Sequence, residues 1–180
     1  TILRPPEKQD ATPVRELSLI AFPIRELFEI KIKEFDLIIF DRYRRRGVLP
    51  GIYLENIVRY VEEGGAVLTA AGPDFATPIS LSRSALGDIL PGAPTGTVFE
   101  RGLKPTITES GNRHPVTAEL AGPANDTPRW GRWFRQIEAT KTRGQTLMNG
   151  VGNSPLLILD RVGEGRVAQL LSDHIWLWAR

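Results

Sequence analysis

An α/β fold is what this sequence predicts: a three-layer domain on a mainly parallel sheet, with an antiparallel β extension near the C-terminus. Three observations predict it. The run Leu37-Ile38-Ile39-Phe40 is apolar on both faces, as in a parallel strand covered from both sides. Residues 49–75 then read as helix, Gly-Gly and a second apolar strand. From Phe134 onward the pattern turns to short β segments, 134–141, 146–151, 155–162 and 166–172. Gly163-Glu164-Gly165 separates the last two, a hairpin signal.

The elements follow in order. Residues 1–24 carry Pro5, Pro6, Pro13 and Pro23 with little periodicity, and read as an extended arm or linker with a short strand near Leu17–Phe22. Residues 25–180 form the single domain. Arg25–Phe35 allows a helical turn, and Phe35–Asp41 is the strongest strand. Pro50 suits the first turn of a helix, where its missing N–H does no harm. Leu54, Ile57, Val58 and Val61 then fall on one helical stripe. Gly64-Gly65 stops that helix, and Ala66–Ala71 is the next strand. Ser80–Leu90 reads as a short helix with Ser80 as N-cap, broken by Pro91-Gly92-Ala93-Pro94. Residues 97–110 suggest one or two strands, 112–117 a turn entering a short helical segment, and 121–128 a loop. His174–Arg180 begins a helix that the sequence cuts short. The abrupt ends, without an initiator Met, suggest a piece of a longer protein, expected to be bacterial and membrane-anchored.

Composition narrows the function. The chain has 180 residues, 41% of them hydrophobic and 24% charged, which suits one globular domain. A net charge of +2 calls for no polyanionic partner, so nucleic acid is not expected. With no cysteine, disulfides, zinc–thiolate sites and thiol catalysis are excluded. The longest apolar runs are of strand length, too short to span a bilayer, and no membrane contact by this domain is expected.

Three features carry a family resemblance. They are the strand–helix–Gly-Gly–strand unit over 35–72, the segment Asn112-Arg113-His114-Pro115-Val116-Thr117, and the closing hairpin 156–172 that runs into Asp173-His174-Ile175-Trp176. Together they resemble the class I glutamine amidotransferase-like domains, which implies a flavodoxin-like fold. The family's chemistry needs a cysteine nucleophile on the turn after a strand. Ala70 or Ala71 stands there, in Thr69-Ala70-Ala71-Gly72-Pro73. His174 matches the late histidine, but Trp176 occupies the place of its acid. Triad members act as a unit, so the resemblance implies a pseudoenzyme without a catalytic Cys.

Ligands of open parallel sheets bind beyond the strands' carboxyl ends. That rule gathers Asp41, Asp74, Asp173 and His174 at one edge with Arg42, Arg44 and Arg45, beside the turn Ala71-Gly72. The set reads either as a cleft for a small anionic or zwitterionic ligand, through bidentate arginine contacts, or as salt bridges and caps on a sheet rim. Ligand spacing gives no support for a metal, and no cofactor is expected. Arg42–Arg46 reads as a solvated loop. In the basic-aromatic segment 129–135, Trp130 and Trp133 either face a partner or pack beneath a loop.

Three functions remain. The first is a catalytically inactive module that binds a ligand or protein, with other domains of the parent protein as partners. The second is an enzyme of altered chemistry, a hydrolase or amidotransferase using Asp41, Asp173 and His174 as acid and base. The third is glutamine hydrolysis through an unrecognised nucleophile, Ser172 or Thr69.

Overall fold

The most apolar stretches form the sheet's centre. The structure, a computed structural model, describes residues 2–3, 23–45, 49–120 and 130–177. β1 (Ile2–Leu3) lies parallel to β2 (Ile38–Asp41), so the start of the expected arm belongs to the sheet. The predicted helix is α1 (Gly51–Glu62), with Pro50 just before it. Leu54, Ile57 and Val61 are buried, and Val58 is partly so. It ends in a Schellman arrangement: Gly65 N–H donates to Tyr60 O and Gly64 N–H to Val61 O, with Gly64 at φ +116°. β3 (Ala66–Ala70) follows, parallel to β2.

After β3 the chain departs from expectation. Gly72, Pro73, Pro78, Gly87, Pro91, Gly92, Pro94 and Gly96 punctuate the next stretch too densely for a long helix. The helix expected at Ser80–Leu90 is two 3-10 turns, Leu81–Arg83 and Ala85–Asp88. Ser80 Oγ accepts from Ser82 N–H (3.1 Å) and Ser84 Oγ donates to Leu81 O (2.6 Å), local bonds that compete with helical pairing. β4 (Gly92–Phe99) and β5 (Thr106–Ile107) come next, then α2 (Glu109–Arg113), which His114 before Pro115 terminates. β6 (Gln136–Lys141), β7 (Gln145–Asn149), β8 (Pro155–Val162) and β9 (Gly165–Leu170) are the remaining strands among the described residues. Val162 pairs with Gly165 across the expected hairpin turn. A 3-10 turn at Ile175–Leu177 stands where the last helix was expected. The loop 121–128, the strand at Leu17–Phe22 and residues 178–180 lie outside the described residues.

The main sheet has the order β1-β2-β3-β9-β8-β7-β5, and β4 pairs with β6 as a separate ribbon. Pairings from β1 to β9 are parallel, and those from β9 to β5 are antiparallel. The sheet is therefore evenly mixed rather than mainly parallel. One face carries Ile38, Phe40, Val67, Val167 and Ile158. It is covered by α1, the 3-10 turns, and Ile137 and Ala139 of the ribbon. Among the described residues α1 is the longest helix, and the opposite face is covered in part by a second apolar cluster that includes Leu103, Trp133 and Leu177 on Met148 and Leu170. The three-layer, flavodoxin-like α/β expectation is thus corrected to a sheet-rich fold. Its physical cause is the Pro/Gly-dense chain after β3, which builds turns and a ribbon on one face and leaves no second helical layer. No helix of the described residues is long and apolar enough to cross a membrane.

Candidate functional site: a trough on the open sheet face

Strand alternation sends every second residue to the opposite, partly covered face. The register aligns them in two rows. Ile39, Leu68, Ala168 and Leu159 form one, and Asp41, Ala70, Leu170, Leu157 and Met148 the next. These rows are the floor of a largely apolar trough of about 1000 Å³. Val116, Leu120, Ile175 and Trp176 line it as well. All four are exposed, Trp176 by 61%.

The strand ends close one side with charge. Asp173, its side chain 3% exposed, receives Arg135 Nη1 at 3.1 Å and 3.4 Å, while Arg42 Nη1 stands 4.0 Å away. Burial of a carboxylate requires such partners. Arg135 also reaches Glu100 at 3.4 Å. Arg42 has φ +47°, uncommon for a non-glycine residue, and its N–H donates to Ala70 O at 2.9 Å. Its stem lies against Gly72, where a Cβ would sit 3.2 Å from Arg42 Cγ. Asp41 lines the trough at the end of its row.

His174 has one ring nitrogen hydrogen-bonded. Phe134 N–H donates to Nδ1 at 3.2 Å, which places the neutral ring's proton on Nε2. Nε2 in turn faces Asp173 Oδ1 at 3.7 Å. Ser172 is bonded within the domain too: its buried Oγ donates to Arg135 O (2.6 Å) and accepts from His174 N–H (3.1 Å). Thr69 alternates to the covered face, away from the trough.

The structure therefore splits the residues singled out in the sequence. Asp41, Arg42, Asp173 and His174 meet at the trough. Arg44 pairs instead with Asp74 at 3.3 Å, and Arg45 donates to Arg83 O at 2.6 Å. Ala71 is buried, its N–H donating to Leu170 O. Trp130 and Trp133 are 5% and 1% exposed, and Trp133 is among the residues that line the trough. Trp130 Nε1–H donates to Pro105 O (2.9 Å), and Trp133 bridges Leu103. The exposed aromatics nearby are Phe134 and Trp176. Sequence reasoning missed the floor residues Leu68, Ala168, Leu157 and Leu159. The available signal was the shortage of helix-forming sequence after residue 72, which leaves one sheet face only partly covered. Among the described residues no group of three or more metal-ligating side chains gathers.

A mixed sheet with one helical face and one partly covered face is the class that this geometry defines. Among solved structures it is similar to cytoplasmic protein STM1381 from Salmonella typhimurium LT2. There the TM-score is 0.63 at 20% identity, over 81% of this chain and 64% of that one. It is similar too to cytoplasmic protein STM3548 from Salmonella typhimurium, with TM-score 0.62 at 21% identity, over 86% of this chain and 65% of that one. A beta-galactosidase from Bacillus circulans sp. alkalophilus matches with TM-score 0.53 at 12% identity, over 81% of this chain and 21% of that one. The chain thus spans less than two thirds of the length of the Salmonella proteins. No family model matches it, and no curated protein does. These likenesses show the fold alone. They correct the class I glutamine amidotransferase resemblance, since none of the three carries that name and the sheet-rich architecture lacks the second helical layer it implies.

Proposed function

We propose that the domain is a non-catalytic binding module of a larger protein, and that its trough takes a small molecule with an apolar body. The open apolar floor beside a short charged edge carries this reading. Ligand sites are typically concave, mostly apolar, about 300–1000 Å³ in volume, and supplied with a few convergent polar groups. The bonds that hold His174 Nδ1 and Ser172 Oγ within the domain favour binding over acid–base chemistry. Nile red, a neutral solvatochromic dye, tests the site. Its fluorescence is expected to rise and shift to the blue with the wild type. Ala168→Trp, which places an indole on the floor, should weaken binding about tenfold or more while the domain stays folded by circular dichroism. Equal binding by Ala168→Trp, or none by the wild type, refutes the reading.

The exposed rim of Val116, Leu120, Ile175 and Trp176 favours a second reading, docking of another domain of the parent protein. Sedimentation of this domain with the remaining parent chain, supplied in trans, tests it. Trp176→Ser should weaken any association seen.

A further inference from the structure

We infer that the trough's ligand carries a cationic head, a primary ammonium on an elongated apolar body, and that Asp41 receives it. The inference rests on the trough being a ligand site. Four charged side chains line the trough: Asp41, Arg42, Arg135 and Asp173. Asp173 is matched by Arg135 and, at longer range, Arg42. Arg135 is shared further with Glu100. The Asp41 carboxylate has no ion pair or hydrogen bond among the described residues. It is the one lining charge left for a ligand to neutralise.

Position points the same way. Asp41 ends the row that runs through Ala70, Leu170 and Leu157 to Met148. Four interstrand spacings of about 4.8 Å make that row roughly 19 Å long. Leu170 and Met148 in that row are buried, so an extended ligand with its head at Asp41 rests its body on the half-buried Ala70, Leu157, Leu68, Ala168 and Leu159. Arg42, the nearest cation in sequence, lies along Gly72 and aims its guanidinium at Asp173. A carboxylate head at the same place would face the like charge of Asp41. An alcohol would leave that charge unmatched.

The test uses three probes with one decyl chain and different heads: decylammonium, decanol and decanoate, each below its micellar concentration, titrated calorimetrically. Decylammonium should bind tightest and decanoate weakest, about fivefold apart, the scale of one partly exposed ion pair. The spread should shrink in high salt. Asp41→Asn should bring the three affinities together, and Asp41→Glu should restore the order. Equal affinities in the wild type, tightest binding of decanoate, or a preference that survives Asp41→Asn overturns the assignment of the head. If none of the probes binds, the trough reading fails, and this inference fails with it.

Discussion

Gln169 offers a sharp test of how the ribbon is attached to the sheet. Its side chain is fully buried, and both ends of its amide are spent on one residue. Nε2 donates to Gly92 O at 3.0 Å, and Gly92 N–H donates to Oε1 at 2.7 Å. The side chain thus supplies at β9 the partner that a neighbouring strand would give to the start of β4. Gln169→Leu keeps the size and removes both bonds, leaving a buried N–H and a buried C=O unpaired. Each orphaned group costs about 1–3 kcal/mol, offset in part by the lower desolvation cost of leucine. The net expectation is a loss of about 2–5 kcal/mol, a large share of a typical domain stability of about 5–15 kcal/mol. Urea unfolding followed by circular dichroism measures it. The midpoint should fall with an unchanged slope, because the surface exposed on unfolding is nearly the same. A loss below about 1 kcal/mol would refute the reasoning, since it would mean that water or a shift of β4 satisfies Gly92 at little cost.

Two further outcomes concern the covered face. Gly65→Ala places a methyl 2.2 Å from the ring of Tyr60, whose hydroxyl is held between Phe35 O (2.8 Å) and Ala66 N–H (3.2 Å). The ring has little room to yield, so thermal unfolding should show a loss of about 1–3 kcal/mol, and one below about 0.5 kcal/mol contradicts the packing. Burial pushes the Tyr43 phenol above its ordinary value, with the backbone of Leu49 opposing the shift. The folded state then holds that proton to higher pH than the unfolded chain does. Tyr43 therefore contributes stability that is intact below the unfolded pKa of about 10 and is lost as pH rises towards the folded one. Unfolding measured through the alkaline range should show this decline, and Tyr43→Phe should flatten it.

Where local chemistry decides, the elements were legible. The stripe Leu54, Ile57, Val61 and the Gly64-Gly65 stop define α1, and Gly163-Glu164 closes the last hairpin. Strand ends, too, follow from register: Asp41 and Asp173 reach the same edge because β2, β3 and β9 run parallel. Other features are not local. Ser80–Leu90 has helical composition, yet its serines hold their own backbone in 3-10 turns. Trp130 and Trp133 sit in a basic stretch that suggests a surface, and only packing against Pro105 and Leu103 buries them. Arg44 and Arg45 follow Arg42 directly, but pairing with Asp74 and Arg83 O turns them from the trough.

The sequence by itself determined the central strands, the one long helix, the closing hairpin and the absence of thiol chemistry, since periodicity, turn residues and atom types are properties of short segments. The tertiary structure alone decided what covers the sheet. An apolar run such as Leu37–Phe40 records that a strand's two faces avoid water. It cannot record whether the cover is a helix of the same chain or the space for a ligand, because that depends on residues far away in sequence.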